Sequence, residues 1–285
     1  MPTEARRPAV AGQFYADDGS TLARQIEACF RSDRGPGDLP PRHRSGPRTI
    51  RAAVVPHAGY EFSGPIAALA YARIAAQPPP ETVLILGVDH HAAGRGPALS
   101  DRPWITPLGQ VPVDHDLARA LDRPPIAVEE SAHAAEHSIE VQLPFLQYVL
   151  PHPRFVALQI PFGPADYLED VGRAVREAIA GRDVLLLAST DFSHYVPAAT
   201  AERLDRMALA AIETRDARRL YDTVVGNDIS MCGIAPTTAL LFALAREDLN
   251  VRRLTWGHSG EAAPMRDVVG YASLLLESAA GAPAS

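Results

Sequence analysis

Short apolar runs alternate along the chain with longer stretches in which apolar residues recur at helical spacing. The runs at residues 50–55 and 82–88 contain almost no polar positions, which is typical of strands buried on both faces of a parallel sheet. A stretch with helical spacing, residues 64–76, separates them. The alternation continues with predicted strands at 154–160, 183–189, 251–256 and 268–276, and predicted helices at 138–149, 167–180, 200–214 and 234–246.

This alternation predicts an α/β fold, a single domain over residues 1–285 with a central, mostly parallel sheet flanked by helices. Pro144 could interrupt the helix predicted at 138–149. Two segments are expected to lie outside the packed core. They are an exposed loop at 32–47, rich in proline and glycine, and a disordered tail at 278–285.

Composition and charge argue against several classes of protein function. A net charge of −7 and an isoelectric point near 5.8 give no indication of nucleic-acid or anionic-membrane binding. No apolar run approaches the ~20 residues of a membrane span, and the first residues lack a signal-peptide core, so we expect a cytoplasmic protein. The two cysteines form no disulfide framework, and all 27 basic residues are arginine, which excludes lysine-based catalysis.

Histidines follow three of the predicted strands. His57 follows the strand at 50–55, His90 and His91 follow the strand at 82–88, and His194 follows the strand at 183–189. Ligands of open α/β sheets bind outside the carboxyl ends of the strands. We therefore expect these histidines to lie close together, although they are far apart in the sequence.

Two neutral imidazoles and one anionic ligand can hold a metal ion and leave a position for a substrate. The predicted ligands are His57, His90 and Cys232, and Cys232 precedes a helix whose N-terminus would favour its thiolate. His194, oriented by Asp191, is the predicted proton donor or acceptor.

Further residues are predicted around this site with lesser roles. Tyr60 and Tyr195 could shape the pocket wall, and Asp89 and His91 are expected to support the site or to belong to a loop. Glu136 could serve the N-terminus of the helix predicted at 138 by its charge. For His137 the sequence leaves a site role and a packing role open.

The chain resembles the Memo family, known in bacteria and archaea as AmmeMemoRadiSam system protein B. The resemblance runs over nearly the whole chain. It is carried by the opening segment 7–15 and by motifs at 56–60, 87–91, 136–140, 191–194 and 232–233.

This resemblance implies a fold similar to class III extradiol dioxygenases of the LigB type, which hold non-haem iron with two histidines and a glutamate. Carried onto this chain, the metal histidines fall on His57 and His90, and the proton-transfer histidine on His194. Cys232 takes the place of the glutamate, as in Memo proteins, where iron or copper and redox activity are associated with such a set. Thiolate is softer than carboxylate, so catechol cleavage does not follow from the fold.

Three functions remain open at the level of sequence. The first is a metal-dependent oxidoreductase that uses iron or copper. The second is a non-catalytic protein that binds a metal, a small molecule or a peptide and acts with the radical-SAM and AMMECR-type partners that the family name implies. The third is a zinc hydrolase with His194 as general base.

Overall fold

The structure is a computed structural model and describes residues 4–41 and 46–279. The strands in these ranges are β1 (Ile50–Val55), β2 (Thr82–Val88), β3 (Ala98–Ser100), β4 (Trp104–Thr106), β5 (Gly109–Val111), β6 (Ala127–Val128), β7 (Phe155–Ile160), β8 (Val184–Ser189), β9 (His194–Pro197), β10 (Leu249–His258) and β11 (Asp267–Ser278). The helices there are α1 (Gly19–Arg31), α2 (Tyr60–Ala75), α3 (His115–Leu121), α4 (Glu130–His133), α5 (Leu143–Val149), α6 (Ala165–Ile179), α7 (Ala198–Glu213), α8 (Ala217–Gly226) and α9 (Ile234–Ala243). Two short 3₁₀ helices cover Glu140–Gln142 and Ser259–Glu261.

The main sheet has the strand order β10-β11-β1-β8-β2-β7-β3-β6, and β9 pairs with β11 beside this path. Its centre, β1, β8, β2 and β7, is parallel, whereas β11 and β10 continue it on one side as antiparallel strands. Strands β4 and β5 form a separate antiparallel pair. The prediction of a single α/β domain with a central, mostly parallel sheet is confirmed.

Burial explains why the central strands are apolar on both faces. Every residue of β1, β2, β7 and β8 is buried. Helices α1, α2 and α5 contact one another, and α2 also packs on β1 and β11. Helix α9 packs on β2, β7 and β8 and is covered in turn by α6 and α8. Among the described residues, no helix combines the length and the apolar character that a membrane crossing requires.

Proline changes two of the predicted helices. The predicted helix at 138–149 is divided into the 3₁₀ helix Glu140–Gln142 and α5, with Pro144 in the first turn of α5, where its missing N–H costs no hydrogen bond. Helix α2 starts at Tyr60, four residues earlier than predicted, and contains Pro65. Pro65 cannot donate to the carbonyl of Glu61, and Arg34 donates to this carbonyl instead, at 3.0 Å.

The sequence prediction missed several short elements, namely β3, β4, β5, β6, β9, α3, α4 and α8. The strands among them have only two to four residues, too few for a period to be recognised. At the carboxyl end of the chain, β11 runs through Ser278, the first residue of the predicted tail. The rest of that tail from 280 onward and residues 42–45 of the predicted loop lie outside the described residues.

Strand order brings the predicted site residues together. Strand β8 lies between β1 and β2, with Ser189 paired to Val55 and Ala188 paired to Leu86. The segments that leave the carboxyl ends of these three strands therefore emerge side by side. They carry His57, His90 and Asp191.

Candidate metal centre

Three side chains from distant parts of the sequence meet at the carboxyl edge of the sheet. One ligand atom each of His57, His90 and Cys232 lies within 4.8 Å of the other two. The Cys232 Sγ is 3.2 Å from His57 Nε2. The two imidazole rings are nearly perpendicular, at 87°, with centroids 5.2 Å apart. The structure thus brings together the three residues predicted as metal ligands.

A buried hydrogen-bond chain orients His57. Its Nδ1 lies 2.9 Å from Ser189 Oγ. The Ser189 hydroxyl donates to the carbonyl of Ser138 at 2.6 Å and accepts from Gln142 Nε2 at 2.9 Å. Because the only hydroxyl proton is used, Nδ1 of His57 must be the donor, which leaves the lone pair on Nε2, the nitrogen beside Cys232.

Glu136 orients His90 from a fully buried position. One carboxylate oxygen accepts from His90 Nδ1, the other from the His90 amide, both at 2.9 Å. The first oxygen also accepts from the amides of His137 and Ser138. These bonds and the neighbouring His90 hold the pKa of Glu136 far below its usual range, against the effect of burial. A carboxylate so occupied fixes the orientation of the histidine ring. Glu136 also belongs to a second group, with His90 and His137, in which one ligand atom of each residue lies within 4.8 Å of the others.

Glu136 was expected to support the site or, more simply, to favour a helix N-terminus by its charge, and the second of these roles does not apply. No helix of the described chain begins beside Glu136, since the 3₁₀ helix starts only at Glu140. The carboxylate is used instead to fix a histidine 46 residues away in the sequence. Sequence spacing alone could not distinguish these two uses.

Cys232 is partly buried, and its environment disfavours a free thiolate. Burial raises the pKa of its thiol well above the usual range, and the Asp191 carboxylate raises it further. The amide of Asp191 donates to Sγ at 3.3 Å and opposes this shift. The expected thiolate therefore needs a cation beside Sγ, which a metal ion would provide. The donor set, two imidazole lone pairs and one thiol that a cation would deprotonate, fits such an ion.

Gly233 allows Cys232 to approach the sheet. A Cβ at this position would overlap the side chain of Thr190 and lie 2.8 Å from the carbonyl oxygen of Ser189. The Gly233 amide donates to Thr190 Oγ1 at 3.0 Å. Only glycine permits this close contact between the segment before α9 and the end of β8.

A cleft of about 500 Å³ opens onto His57 and His90, whereas Cys232 is not among its lining residues. Its polar floor contains His57, His90, His137, Asp191 and His194. The side chains on its other walls are mostly apolar and comprise Phe14, Phe62, Tyr195, Met265, Val269 and Tyr271, together with the polar Gln13 and Ser259. Two of the three candidate ligands, His57 and His90, are therefore accessible from the cleft.

His194 reaches the cleft but is oriented by Ser230. The His194 Nδ1 lies 2.8 Å from the Ser230 carbonyl oxygen, and the His194 amide donates to Ser230 Oγ at 2.7 Å. Nε2 is thereby left with the lone pair that proton transfer requires. Asp191, predicted to orient His194, instead accepts from the His57 amide at 2.8 Å. Burial raises the pKa of Asp191 to about 6, and this hydrogen bond opposes the shift.

His137, whose role the sequence left open, lines the cleft. Its ring stacks on His90 with centroids 4.6 Å apart and contacts the ring of Phe14 at 4.7 Å. Burial lowers the pKa of His137 to about 4. A neutral imidazole therefore lies beside the proposed ligands at neutral pH.

Three other predicted residues lie away from the cleft. Tyr60, predicted in the pocket wall, is buried in the core, where its hydroxyl donates to the Val141 carbonyl at 2.6 Å. Asp89 accepts from loop amides after β2. His91 is exposed and lies 3.2 Å from the Ala135 carbonyl. Asp89 and His91 are thus loop residues, one of the two roles expected for them.

A long-range contact makes the N-terminal segment a wall of the cleft, which was not predicted from the sequence. The buried Glu140 carboxylate accepts from Arg6 Nη1 and the Tyr15 hydroxyl, both at 2.5 Å. It also accepts from the amides of Ala9 and Val10. This anchor fixes the segment that carries Phe14. Glu140 and its partners are separated by more than 120 residues in the sequence, so no local sequence pattern reveals these contacts.

The fold and the site define an α/β protein with a His-His-Cys grouping at the carboxyl edge of its sheet. A family profile described as Memo-like protein matches residues 6–275. MEMO1 family proteins from Methanopyrus kandleri and Methanothermobacter thermautotrophicus are 42% and 40% identical, covering 95% and 94% of this chain and 98% and 99% of their own. The chain belongs to the Memo-like family, which confirms the resemblance seen in the sequence.

A solved structure shares the fold at low sequence identity. The crystal structure of the uncharacterized protein JW3007 from Escherichia coli K12 superposes with a TM-score of 0.55 at 15% identity. The match covers 79% of this chain and 99% of the other. At this identity the likeness supports the architecture alone.

Proposed function

We propose that this protein is an oxidoreductase that holds iron or copper with His57, His90 and Cys232 and acts on a small molecule in the cleft. The observation that carries the proposal is the hydrogen bonding of the two imidazoles. Nδ1 of His57 is bonded to Ser189 and Nδ1 of His90 to Glu136, so each Nε2 keeps its lone pair. Histidines held by a second partner in this way are typical of metal ligands.

The ligand types are compatible with iron or copper, and the family resemblance favours these two metals over zinc. A thiolate with two imidazoles suits copper and iron as well as zinc, and the open cleft leaves room for a substrate. When bound, iron or copper would supply one-electron chemistry that no side chain of the site can provide.

The residues of the chain supply binding and proton transfer. His194 Nε2 accepts or returns a substrate proton, since its Nδ1 is held by Ser230. Asp191, with its pKa raised to about 6 by burial, carries a negative charge at neutral pH and accepts a hydrogen bond from the His57 amide. Phe14, Phe62 and Tyr271 exclude water from the side of the ligand.

A second function, binding without turnover, is favoured by the exposed apolar side chains at the cleft. Tyr195 is 79% exposed and Met265 is 39% exposed, a surface that could hold a peptide. In this function the protein would present a metal or a peptide to partners of the radical-SAM and AMMECR types. Both cysteines are free, which suits the reducing cytoplasm in which we propose that the protein acts.

Metal content of anaerobically purified, untagged protein tests the proposal. We expect near-stoichiometric iron or copper in wild type and in Cys29→Ser, a matched buried control, and its loss in His57→Ala and Cys232→Ser. Zinc alone, lost in the same two variants, would favour a hydrolase with His194 as base. No metal in wild type after reconstitution with each ion would disprove the metal centre.

Turnover then separates the oxidoreductase from the binding protein. The loaded protein is incubated with O₂, reductants and phenolic compounds, and the products are examined by mass spectrometry. We expect His194→Ala to keep its metal and to lose at least ~100-fold in rate, the usual contribution of a general acid or base. A His194→Ala rate equal to that of wild type would contradict the proton-transfer role.

A further inference from the structure

A β-bulge places Tyr195 at the cleft. In the pairing of β9 with β11, Val196 faces Val268 and His194 faces Val269, so Tyr195 has no partner residue. Bulges bend a strand and re-aim one side chain, and they are frequent beside active sites. Here the re-aimed side chain follows directly after the proton-transfer residue proposed above.

The backbone of Tyr195 adopts an unfavourable conformation. Its φ is +56°, in the left-handed region that bulky side chains rarely occupy. Glycine or asparagine would adopt this conformation with less strain. A large aromatic residue at such a position is strained, and strained residues are concentrated at ligand-binding sites.

The Tyr195 side chain makes few stabilising contacts with the rest of the protein. The side chain is 79% exposed, and its closest ring contact is an edge arrangement with His194 at 5.9 Å and 63°. Its hydroxyl forms no hydrogen bond within the described part of the chain. Neither packing nor hydrogen bonding in the protein therefore explains an aromatic residue here.

The surroundings of Tyr195 indicate what its ring could contact. Tyr195 lines the cleft together with Phe14, Phe62 and Met265, while the imidazoles and Asp191 form the polar floor. A ligand that reaches the floor with a polar end presents its remaining part to these apolar side chains. Aromatic rings and a thioether on the walls of the cleft favour contact with a flat, unsaturated group of the ligand.

We propose that Tyr195 is a specificity-determining residue whose ring covers the planar part of a ligand when the ligand's polar end occupies the polar floor beside His57 and His90. The proposal rests on the proposed metal centre, since the metal holds the polar end. The ring supplies contact area, and the hydroxyl has no required role. Selectivity for planar ligands then depends on one side chain outside the ligand set.

Two chelating probes with different shapes test this role. 4-Nitrocatechol is planar and aromatic, whereas acetohydroxamate binds metal through two oxygens but has no ring. Dissociation constants of both are measured on the metal-loaded protein, by absorbance for 4-nitrocatechol and by competition for acetohydroxamate. The variants are Tyr195→Gly, which accepts the left-handed backbone but lacks the ring, and Tyr195→Phe, which keeps the ring. Phe162→Ala, an exposed aromatic outside the cleft, is the matched control.

We expect Tyr195→Gly to bind 4-nitrocatechol about tenfold more weakly, while its affinity for acetohydroxamate is unchanged. Tyr195→Phe and Phe162→Ala should behave as wild type with both probes. Thermal unfolding adds a metal-free readout, because Tyr195→Gly should be at least as stable as wild type once the left-handed strain is relieved.

Two other outcomes have distinct meanings. If wild type and Tyr195→Gly bind both probes equally, the role of Tyr195 is disproved and the metal centre stands. If neither probe binds to wild type because no metal is retained, the metal centre fails and the proposal for Tyr195 fails with it.

Discussion

The carboxylate of Glu136 holds His90 at two points, the ring Nδ1 and the main-chain amide, each at 2.9 Å. One bond sets the rotation of the imidazole, and the other fixes the loop that carries it. A buried carboxylate that accepts from a metal-binding histidine also raises the basicity of the other ring nitrogen. Glu136 therefore determines the geometry of the candidate centre without contacting a ligand in the cleft.

The substitution Glu136→Gln should weaken metal binding. A glutamine side chain at this position has one acceptor oxygen and no charge, so it cannot accept both bonds from His90. We expect a 10–100-fold loss of metal affinity, of the order seen for such partners elsewhere, measured by competition with a chromophoric chelator. Glu129→Gln, which alters an ion pair with Arg95 away from the cleft, is the control. Equal affinities in both variants would contradict the role of Glu136.

His133 should make the protein less stable at acid pH. It is fully buried against Trp104, and burial, with the charge of Arg6, lowers its pKa from 6.5 to about 4. The unfolded chain then binds a proton that the folded chain does not. The free energy of unfolding is unaffected above pH 6.5 and falls as the pH decreases toward 4, by up to about 3 kcal/mol for this residue.

Urea unfolding at a series of pH values measures this dependence. His57 and His137 have pKa values lowered in the same direction, so the wild-type curve contains their contributions as well. His133→Leu removes only one titrating group and should reduce the slope between pH 6.5 and 4. A slope identical to that of wild type would show that His133 is not neutral in the folded state.

Glu140→Gln should release the N-terminal segment. The substitution leaves Arg6 buried without its carboxylate and replaces one of the two acceptor oxygens by an NH₂ group, so either the Ala9 or the Val10 amide loses its acceptor. Breaking a buried ion pair of this kind costs about 3–5 kcal/mol of unfolding free energy. Limited proteolysis should then cleave within residues 6–15, which the wild type protects. The double variant Arg6→Met with Glu140→Gln should recover part of the stability, because no unpaired charge remains.

Gly233→Ala should displace Cys232. The added Cβ meets the Thr190 side chain and the Ser189 carbonyl, so the segment before α9 must shift. We expect a loss of about 1–3 kcal/mol in unfolding free energy, typical of overpacking, together with weaker metal binding. Gly226→Ala, where nothing lies near the added Cβ, is the control. Wild-type metal affinity in Gly233→Ala would show that the close contact is not needed.

Local patterns revealed the core of the fold and the three candidate ligands. Buried parallel strands are continuous apolar runs, and their carboxyl ends must meet, so His57 and His90 could be placed from sequence. Cys232 was predicted as a ligand and lies beside His57 and His90, but the N-terminus of the helix that follows it does not decide its protonation. Burial and the Asp191 charge outweigh it, and both depend on the tertiary structure.

The supporting residues could not be found in the same way. Ser230 orients His194 across 36 residues, and Ser189 orients His57 across 132 residues. Serine is common in loops, and neither residue stands out by spacing or composition. Their role arises from strand order, which places β8 between β1 and β2.

Because Glu140 anchors residues 6–15, the cleft is built from two separate parts of the chain, the sheet edge and the N-terminal segment. The residues of each part can change without the other. The sheet edge provides the candidate ligands, while Phe14 reaches the same cleft from a segment held by main-chain amides and two side chains. Main-chain donors tolerate a change of side chain at their own positions. Substitutions at Gln13 and Phe14 can therefore change which molecules enter the cleft. The candidate ligands at the sheet edge are not altered by such substitutions.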